Sequence, residues 1–287
     1  MTIIPAAEIP TVSLLYRLKK LAPAEIEHES PAKPSQSFND RIGLIRGDIT
    51  KLEVDAIVNA ANNSLLGGGG VDGAIHAAAG PGLLRECRKL NGCATGSAKI
   101  TGAYDLPCKK VIHAVGPIYS RSYVRDSAKD LESCYTTSLQ LAVENGCKSI
   151  AFSAVSTGVY GYPSNDAAPV AIGAVKKFLE SKDGDKLKKV VFTTFVMKDV
   201  EAYNHWLPRF FPSTEPEAET ENESEEGWEE VKGGESAENG PVEKEEVNPE
   251  AIEEDASNIT LPDVPAGEPK DDGPAAKKQK ANDEEKL

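Results

Sequence analysis

The sequence predicts an α/β fold in which helices cover both faces of a central sheet, giving a three-layer α/β/α sandwich. The first observation is that short apolar runs alternate with longer amphipathic runs between Arg41 and Phe210. The second is that three segments rich in glycine or amide side chains each follow an apolar run. Because open α/β sheets bind ligands beyond the carboxyl ends of their strands, these segments predict a binding crevice at that edge.

The predicted elements follow from hydrophobic periodicity. Six strands are predicted at Arg41–Arg46, Ala56–Asn59, Ala98–Tyr104, Lys110–Ala114, Ser149–Ser153 and Lys189–Val196. Five helices are predicted at Asp72–Ala79, Gly82–Leu90, Ala128–Glu144, Asp166–Lys182 and Asp199–Phe210. The fourth helix has capping oxygens and negative charge at its start in Ser164, Asn165 and Asp166. A further short helix, on the outside of the main domain, is predicted within Val12–Leu21, where apolar residues repeat at threefold spacing.

Charge divides the chain into regions. Residues 213–287 contain 25 Asp and Glu but 7 Lys and Arg, a net charge of −18. The whole chain carries −14, so residues 1–212 carry +4. The acidic tail has too little apolar material to offset the entropy of ordering and is predicted to be disordered. The predicted organisation is therefore an N-terminal extension over 1–37, a main domain over 38–212 and a disordered acidic tail over 213–287.

Composition also limits the class of protein. The mildly basic main domain suits a small anionic ligand, but it lacks the clustered Lys and Arg of a nucleic-acid-binding surface. The five cysteines form no C-x-x-C pair, which indicates free buried thiols in a reducing compartment and no metal site. Neither a membrane-spanning run nor a secretion signal is found, so we expect an intracellular protein. We expect a monomer without a cofactor.

The first glycine- or amide-rich segment is Gly47-Asp48-Ile49-Thr50, after the first predicted strand. A carboxylate at the end of a strand can accept a hydrogen bond from an exocyclic amine such as that of adenine. Taken alone, the segment is more typical of an ordinary turn with a capping Asp.

The second segment runs from Asn59 to His76 and contains four consecutive glycines, Gly67–Gly70. Glycines let the backbone approach a ligand closely, and these lead into a helix whose free N–H groups attract anions. Asn62 can both donate and accept hydrogen bonds, which suits ribose hydroxyls. A flexible linker is the alternative, but linkers do not separate a strand from an amphipathic helix.

The third segment is Ser156–Pro163, which lies between a predicted strand and a predicted helix. Its glycines free the backbone to present amides to phosphate, and Tyr160 offers an aromatic wall. Neither glycine-rich loop ends in the Gly-Lys-Ser/Thr of a P-loop, and no G-x-G-x-x-G follows a strand. Two phosphate-binding loops and an amide pocket predict a diphosphate ligand with sugars at both ends.

Together these segments resemble the macro domain family of the MacroD type. The resemblance covers Phe38–Pro212 and includes Lys99–Gly102 and Val111–Pro117. It implies a macro-domain fold with a central mixed sheet. It also implies ADP-ribose as the ligand, with hydrolysis of ADP-ribose esters on Glu and Asp side chains and of O-acetyl-ADP-ribose.

The resemblance also implies roles for individual residues. Asp48 and the Ile49 amide would bind adenine, Asn62 and Tyr160 would contact the distal ribose, and Phe195 would lie near the adenine. The implied ligand-binding residues are Asp48, Ile49, Asn62, Gly69, Gly70, Val71, Ser156, Thr157, Gly158, Val159, Tyr160 and Phe195. The implied catalytic residues are Asp72 and Asn62. Asp72 would position a water molecule and take part of its proton, and a phosphate of the ligand could share that proton.

Several alternatives stay open at this point. Asp72 could merely complement the helix dipole, and His76 and His113 are better interpreted as structural than as proton carriers. The protein could be a reader that binds ADP-ribose marks without hydrolysing them, a phosphatase acting on ADP-ribose 1″-phosphate, or an interaction protein that acts through its tail. The basic segment Pro274–Lys280 resembles a nuclear-import signal and predicts residence in nucleus and cytoplasm.

Overall fold

The structure, a computed structural model, describes residues 2–24 and 32–214 of the chain. The strands are β1 (Ile4–Pro5), β2 (Ile42–Arg46), β3 (Leu52–Glu53), β4 (Ala56–Ala60), β5 (Ser97–Gly102), β6 (Lys110–Val115), β7 (Ser149–Ser153) and β8 (Lys189–Thr194). The helices are α1 (Val12–Arg17), α2 (Gln36–Asn39), α3 (Gly70–Ala79), α4 (Pro81–Lys89), α5 (Val124–Glu144), α6 (Ser164–Leu179) and α7 (Met197–Phe210).

Six of the strands form one mixed sheet in the order β2-β8-β7-β4-β6-β5. Its neighbouring strands are parallel except for β5 and β6, which are antiparallel. The short strands β1 and β3 form a separate parallel pair. Because β2, β4, β6, β7 and β8 run in the same direction, the segments that follow them meet at one edge of the sheet.

Helices cover both faces of this sheet, as predicted. Successive residues of a strand point to opposite faces, so Ile57 of β4 packs into one hydrophobic cluster and Val58 into the other. The first cluster includes buried residues of α3 and α4, and the second includes buried residues of α1, α5, α6 and α7. The three-layer α/β/α sandwich is therefore confirmed.

All six predicted strands and all five predicted main-domain helices are present, with shifts at their ends. The largest shift is at α5, which begins at Val124 rather than Ala128. The predicted capping of the fourth helix by side chains is wrong. The helix begins at Ser164, and its N-cap residue is Pro163, which has no side-chain oxygen that could accept a hydrogen bond. The Ser164 hydroxyl instead donates to Asp199 Oδ1 of α7 at 2.6 Å.

The predicted N-terminal helix begins at Val12 and ends at Arg17, because Lys19 adopts a positive φ of 53°. Thr11 caps it, with its hydroxyl oxygen accepting from the Leu14 amide at 3.2 Å. Val12 and Leu21 are buried in the main core, whereas Leu18 is exposed. The early part of the chain therefore contributes to the same core as the sheet.

All five cysteines are free and buried, as predicted. Among the described residues, no helix combines the length and apolar character needed to cross a membrane. The predicted disorder of the acidic tail concerns residues that, beyond Thr214, lie outside the described part of the chain.

Candidate functional site

The three predicted ligand-binding segments lie at the same edge of the sheet. The Gly47 amide donates to the Thr194 carbonyl at 2.9 Å, which joins the segment after β2 to the end of β8. The Tyr119 amide donates to the Tyr160 carbonyl at 2.9 Å, which joins the segment after β6 to the segment after β7. The structure thus brings together side chains and amides that are up to about 150 residues apart in sequence.

The loop after β7, Ser156–Gly161, presents backbone amides to the crevice edge. Ser156 has a positive φ of 67°, and its carbonyl accepts from the Tyr162 amide at 3.0 Å. Within the described residues, the amides of the four residues Thr157–Tyr160 donate no hydrogen bond. Successive free amides in a tight turn form a concave anion-binding surface. We refer to this loop as the diphosphate loop.

A buried carboxylate on α7 holds the diphosphate loop. Asp199 accepts from the Thr157 hydroxyl at 3.2 Å through Oδ2, while its Oδ1 accepts from Ser164. The neighbouring Lys198 ammonium donates to the Thr157 carbonyl at 2.6 Å. The sequence predicted Asp199 only as the start of a helix, since its distance of 42 residues from Thr157 gives no local signal.

Gly116, which follows β6, packs against the start of the same loop. A Cβ atom at this position would collide with the Ser156 hydroxyl and with the Val155 side chain. The close approach therefore requires glycine and fixes the position of Ser156. The Ser156 hydroxyl is itself buried without a hydrogen-bond partner, so it can still bond to a ligand.

The second glycine-rich loop ends at the first turn of α3. Helix α3 begins at Gly70, and its N-cap residue Gly69 provides no side-chain hydrogen bond. Among the described residues, the amides of Gly70, Val71 and Asp72 donate no hydrogen bond and remain available to an anion. A Cβ at Gly73 would lie 2.6 Å from the Gly68 carbonyl oxygen, so glycine lets the loop fold tightly over this turn.

The side chain of Asn62 holds the second glycine-rich loop through hydrogen bonds. Its Oδ1 accepts from the amide and the hydroxyl of Ser64, at 3.0 and 2.6 Å. Its Nδ2 donates to the Gly67 carbonyl at 2.9 Å. Because Nδ2 carries two hydrogens, one N–H is left to contact a ligand.

Asp72 is buried at the start of α3. Its Oδ1 accepts from Asn59 Nδ2 at 2.7 Å, whereas its Oδ2 is buried without a hydrogen-bond partner. A Cβ at Gly68 would lie 3.2 Å from both Asp72 Oδ2 and Asn62 Nδ2, so the two predicted catalytic side chains flank Gly68. His76 Nε2 lies 3.5 Å from Asp72 Oδ1 and is also buried without a hydrogen bond.

A chain of buried polar groups continues behind Asp72. Asn59 Nδ2 also contacts His113 Nδ1 at 3.1 Å, and since an amide N–H must donate, this ring nitrogen is the acceptor. His113 Nε2 therefore carries the proton and donates to Thr101 Oγ1 at 3.0 Å. Burial lowers the pKa of His113 to about 3, so its ring is neutral. The interpretation of His113 as structural agrees with this geometry, but the sequence did not single out Asn59 or Thr101 as part of it.

His76, Cys87 and His113 form a group of potential metal ligands within the described residues. Their ligand atoms all lie within 4.8 Å of one another, although the residues come from α3, α4 and β6. Burial raises the pKa of the Cys87 thiol to about 11, which keeps it protonated. Both nitrogens of His113 already take part in hydrogen bonds. Two of the three residues, Cys87 and His113, are therefore engaged as a protonated thiol and a hydrogen-bonded ring, and the prediction that there is no metal site stays a prediction.

The predicted adenine-binding residues meet at the ends of β2 and β8. Asp48 Oδ1 accepts from the amide and hydroxyl of Thr50, at 2.9 and 2.7 Å. Within the described residues, the Ile49 amide makes no hydrogen bond. Phe195 has 68% of its surface exposed, and its carbonyl accepts from Arg46 Nε at 3.3 Å. An exposed ring beside a free amide and a carboxylate can bind a flat heterocycle that carries an amine.

This edge of the sheet therefore carries an exposed aromatic ring, two sets of free amides and, at the start of α3, a buried carboxylate. This arrangement can bind an elongated anion and can position a water molecule with Asp72 Oδ2. The roles of the predicted site residues stay predictions.

Comparison with known proteins agrees with this architecture. The family model for the Macro domain matches residues 58–171. The ADP-ribose glycohydrolase MACROD2 of Xenopus laevis is 52% identical over 200 residues, covering 70% of this chain and 48% of the relative. The chain thus spans about half the length of that relative.

Two further proteins extend the comparison. A Macro domain-containing protein of Chlorobaculum tepidum is 54% identical over 169 residues, which cover 59% of this chain and 96% of the relative. The Trypanosoma brucei macrodomain, solved in complex with ADP-ribose, is 47% identical with a TM-score of 0.55, covering 63% of this chain and 75% of that structure. Because a whole macro domain is matched at this identity, the chain belongs to the macro domain family, in its MacroD type.

Proposed function

We propose that this protein binds ADP-ribose and hydrolyses the ester that links it to Glu and Asp side chains, and that it deacetylates O-acetyl-ADP-ribose. The observation that carries the proposal is Asp72 Oδ2, an unpartnered buried carboxylate oxygen beside Gly68, at the start of a helix whose first amides are free. Burying such an oxygen without a partner costs free energy, and a bound water molecule would satisfy it.

The proposed roles of the individual residues are those that the family resemblance implies. Asp48, the Ile49 amide and Phe195 bind adenine at one end. The amides of Gly70 and Val71 and those of the diphosphate loop bind the two phosphates. Asn62 and Tyr160 contact the distal ribose at the other end, next to the ester.

In the proposed reaction Asp72 Oδ2 orients a water molecule and takes part of its proton as the water attacks the ester. The water oxygen bonds to the carbon whose ester C–O bond breaks, and the products are a free carboxylate, a ribose hydroxyl and one proton that leaves to solvent. Asn59 holds Oδ1, so the carboxylate cannot rotate away from the attacking water. A ligand phosphate can share the proton. The names of the MACROD2 relatives and the ADP-ribose complex of the Trypanosoma brucei macrodomain support this choice of ligand and reaction.

The test uses the full-length protein, because Val12 and Leu21 lie in the core and a fragment beginning at residue 38 would lack them. The protein is incubated with an acceptor that is mono-ADP-ribosylated on carboxylates, and released ADP-ribose is measured. O-acetyl-ADP-ribose is the second ester substrate. If the protein bound ADP-ribose but hydrolysed neither ester, it would instead be a reader. Free phosphate released from ADP-ribose 1″-phosphate, with both esters intact, would indicate a phosphatase.

We also propose that the protein is monomeric and resides in both the nucleus and the cytoplasm. The support for its location is the basic segment around Lys277, Lys278 and Lys280, which lies outside the described residues. Replacing these three lysines with alanine should reduce the nuclear fraction in cells. An unchanged distribution would contradict the proposal.

A further inference from the structure

Exposed apolar side chains concentrate on the crevice edge. Of the eleven large hydrophobic residues reported as exposed in the described part of the chain, eight lie in or next to the segments that follow strands at this edge. They are Leu66, Ile118, Tyr123, Val124, Val159, Phe195, Val196 and Met197. Exposed apolar side chains that concentrate beside a binding site indicate a second contact region.

Part of this apolar surface lies outside the proposed ADP-ribose contacts. Val159 and Phe195 belong to the implied ligand-binding residues, but Ile118, Tyr123 and Val124 do not. These three have 71%, 65% and 44% of their surfaces exposed. Ile118 and Tyr123 lie in the segment that connects β6 to α5, and Val124 is the first residue of α5.

This segment is fixed beside the distal end of the crevice. The Tyr119 amide bonds to the carbonyl of Tyr160, and the rings of Tyr119 and Tyr162 lie 4.7 Å apart. Tyr160 is the residue assigned to the distal ribose, where the ester to the acceptor protein would lie. The exposed side chains of the segment therefore border the place where a modified polypeptide must enter.

Charge favours an acidic partner at this position. Arg121 and Arg125 are exposed in the same stretch as Tyr123. Asp126 is the acidic residue next to them, in the first turn of α5. The segment 118–125 itself carries two arginines and no acidic residue. We define Ile118, Arg121, Tyr123, Val124 and Arg125 as the acceptor face.

We propose that the acceptor face binds the polypeptide that flanks the ADP-ribosylated carboxylate. Apolar side chains of the acceptor would pack on Ile118, Tyr123 and Val124, while its unmodified Asp and Glu side chains would pair with Arg121 and Arg125. This inference rests on the proposed function, since it places the acceptor next to the ester. O-acetyl-ADP-ribose carries no polypeptide, so its turnover should not depend on this surface.

The experiment compares two substrates on the same full-length variants. Tyr123→Ala and the double variant Arg121→Glu/Arg125→Glu are assayed with a carboxylate-ADP-ribosylated protein and with O-acetyl-ADP-ribose. We expect kcat/KM to fall about tenfold or more for the protein substrate, the size of a typical interface anchor. For O-acetyl-ADP-ribose we expect a change of less than about twofold, because the crevice itself is unaltered.

Leu18→Ala is the matched control, because Leu18 is 56% exposed but follows α1 rather than a strand of this edge. Equal losses on both substrates would overturn the proposal by showing damage to the crevice. Unchanged activity on both would also overturn it. A gain on the protein substrate alone would indicate that the acidic tail of the chain occupies the surface instead.

A binding measurement separates this inference from the proposed function. In the Asp72→Ala background, the affinity for the ADP-ribosylated protein is compared with that for free ADP-ribose. If the wild-type protein released ADP-ribose from neither ester, the proposed function would fail. A selective loss of affinity for the modified protein in the Tyr123 and arginine variants would still support the acceptor face. If these variants bound the modified protein as tightly as the unsubstituted background does, the acceptor face would be refuted.

Discussion

Asp72 is held through one of its two carboxylate oxygens, which leaves the other free to act. The amide of Asn59 fixes Oδ1, and His113 in turn fixes that amide by accepting its second N–H. Because both N–H groups of the Asn59 amide donate a hydrogen bond, the Asn59 side chain is restrained more than a single hydrogen bond would restrain it. At the scale of single residues, the site is therefore a positioned carboxylate supported by neutral groups.

Replacing Asp72 with alanine should lower kcat and kcat/KM together. A group that acts in the transition state affects both constants, and a general base typically contributes about 10²–10⁴-fold. The affinity for ADP-ribose should change much less, because the backbone amides and Asn62 are retained. Release rates and calorimetry on the same variant measure the two effects.

Asp126→Ala is the control, since Asp126 is an exposed acid in the first turn of another helix. Full activity in the Asp72 variant, with intact binding, would remove Asp72 from the mechanism. A ligand phosphate would then be the better candidate for the base.

The buried neutral state of His113 should make the protein less stable in acid. Its pKa is about 3 in the folded protein because of burial, whereas the unfolded value is about 6.5. Between these values the unfolded state binds one more proton, so the free energy of unfolding falls as the pH falls. The expected loss is up to about 1.4 kcal/mol per pH unit below pH 6.5.

Chemical denaturation at pH 7 and pH 5 measures this loss. His113→Gln should show a smaller fall between the two pH values than the wild type. His205→Gln, at an exposed histidine, should keep the wild-type fall. The same fall in all three proteins would show that His113 is not the group responsible.

At the scale of elements, the periodicity of apolar residues was sufficient to predict every strand of the main sheet and the helices α3 to α7, but not the short helix α2. The residues at which the elements begin and end were harder to predict, because contacts between residues distant in sequence determine them. Ser164 begins α6 while bonding to Asp199 of α7, a partner 35 residues away. Likewise Asn59 and His113 meet because β4 and β6 pair in parallel, and strand order cannot be read from local sequence.

The candidate site was predicted where the signal is local. Glycine-rich loops and Asp72 lie in recognisable segments, so the sequence and the family resemblance were enough to propose them. Residues that support those segments, such as Asn59, Thr101 and Asp199, were missed because they act through pairings between elements. The free amides of the diphosphate loop are also a property of its folded conformation, with Ser156 at a positive φ.

Replacing Asp199 with alanine should loosen the diphosphate loop. The change removes the acceptor for both Thr157 and Ser164, and a hydrogen bond to a charged group is worth about 1.5–3 kcal/mol. We expect ADP-ribose to bind about tenfold more weakly and the protein to unfold at a lower temperature. Calorimetry and thermal denaturation measure the two effects.

Asp166→Ala provides the comparison, because Asp166 is an exposed acid in the first turn of α6. It should retain the affinity of the wild type. If Asp199→Ala lowered stability but left ADP-ribose affinity unchanged, Asp199 would support the fold without positioning the loop.

At the scale of the whole molecule, the crevice joins segments that follow four parallel strands. The proposed adenine end depends on the segments after β2 and β8, and the proposed distal end depends on those after β4 and β7. A ligand that reaches both ends contacts elements from most of the main domain, so its binding energy opposes global unfolding. A ligand confined to one end gains fewer contacts.

ADP-ribose should therefore raise the melting temperature more than AMP does at equal concentration. A ligand present at 100 times its Kd stabilises the folded state by about 2.7 kcal/mol. For a domain of this size, that corresponds to a rise of about 5–10 °C. AMP occupies the adenine end and leaves the distal amides empty, so it should bind more weakly and give a smaller rise. Thermal denaturation of the full-length protein over a concentration series of each ligand measures the difference. Equal shifts at every concentration would mean that the adenine end alone supplies the affinity, and that the two amide loops do not act together on one ligand.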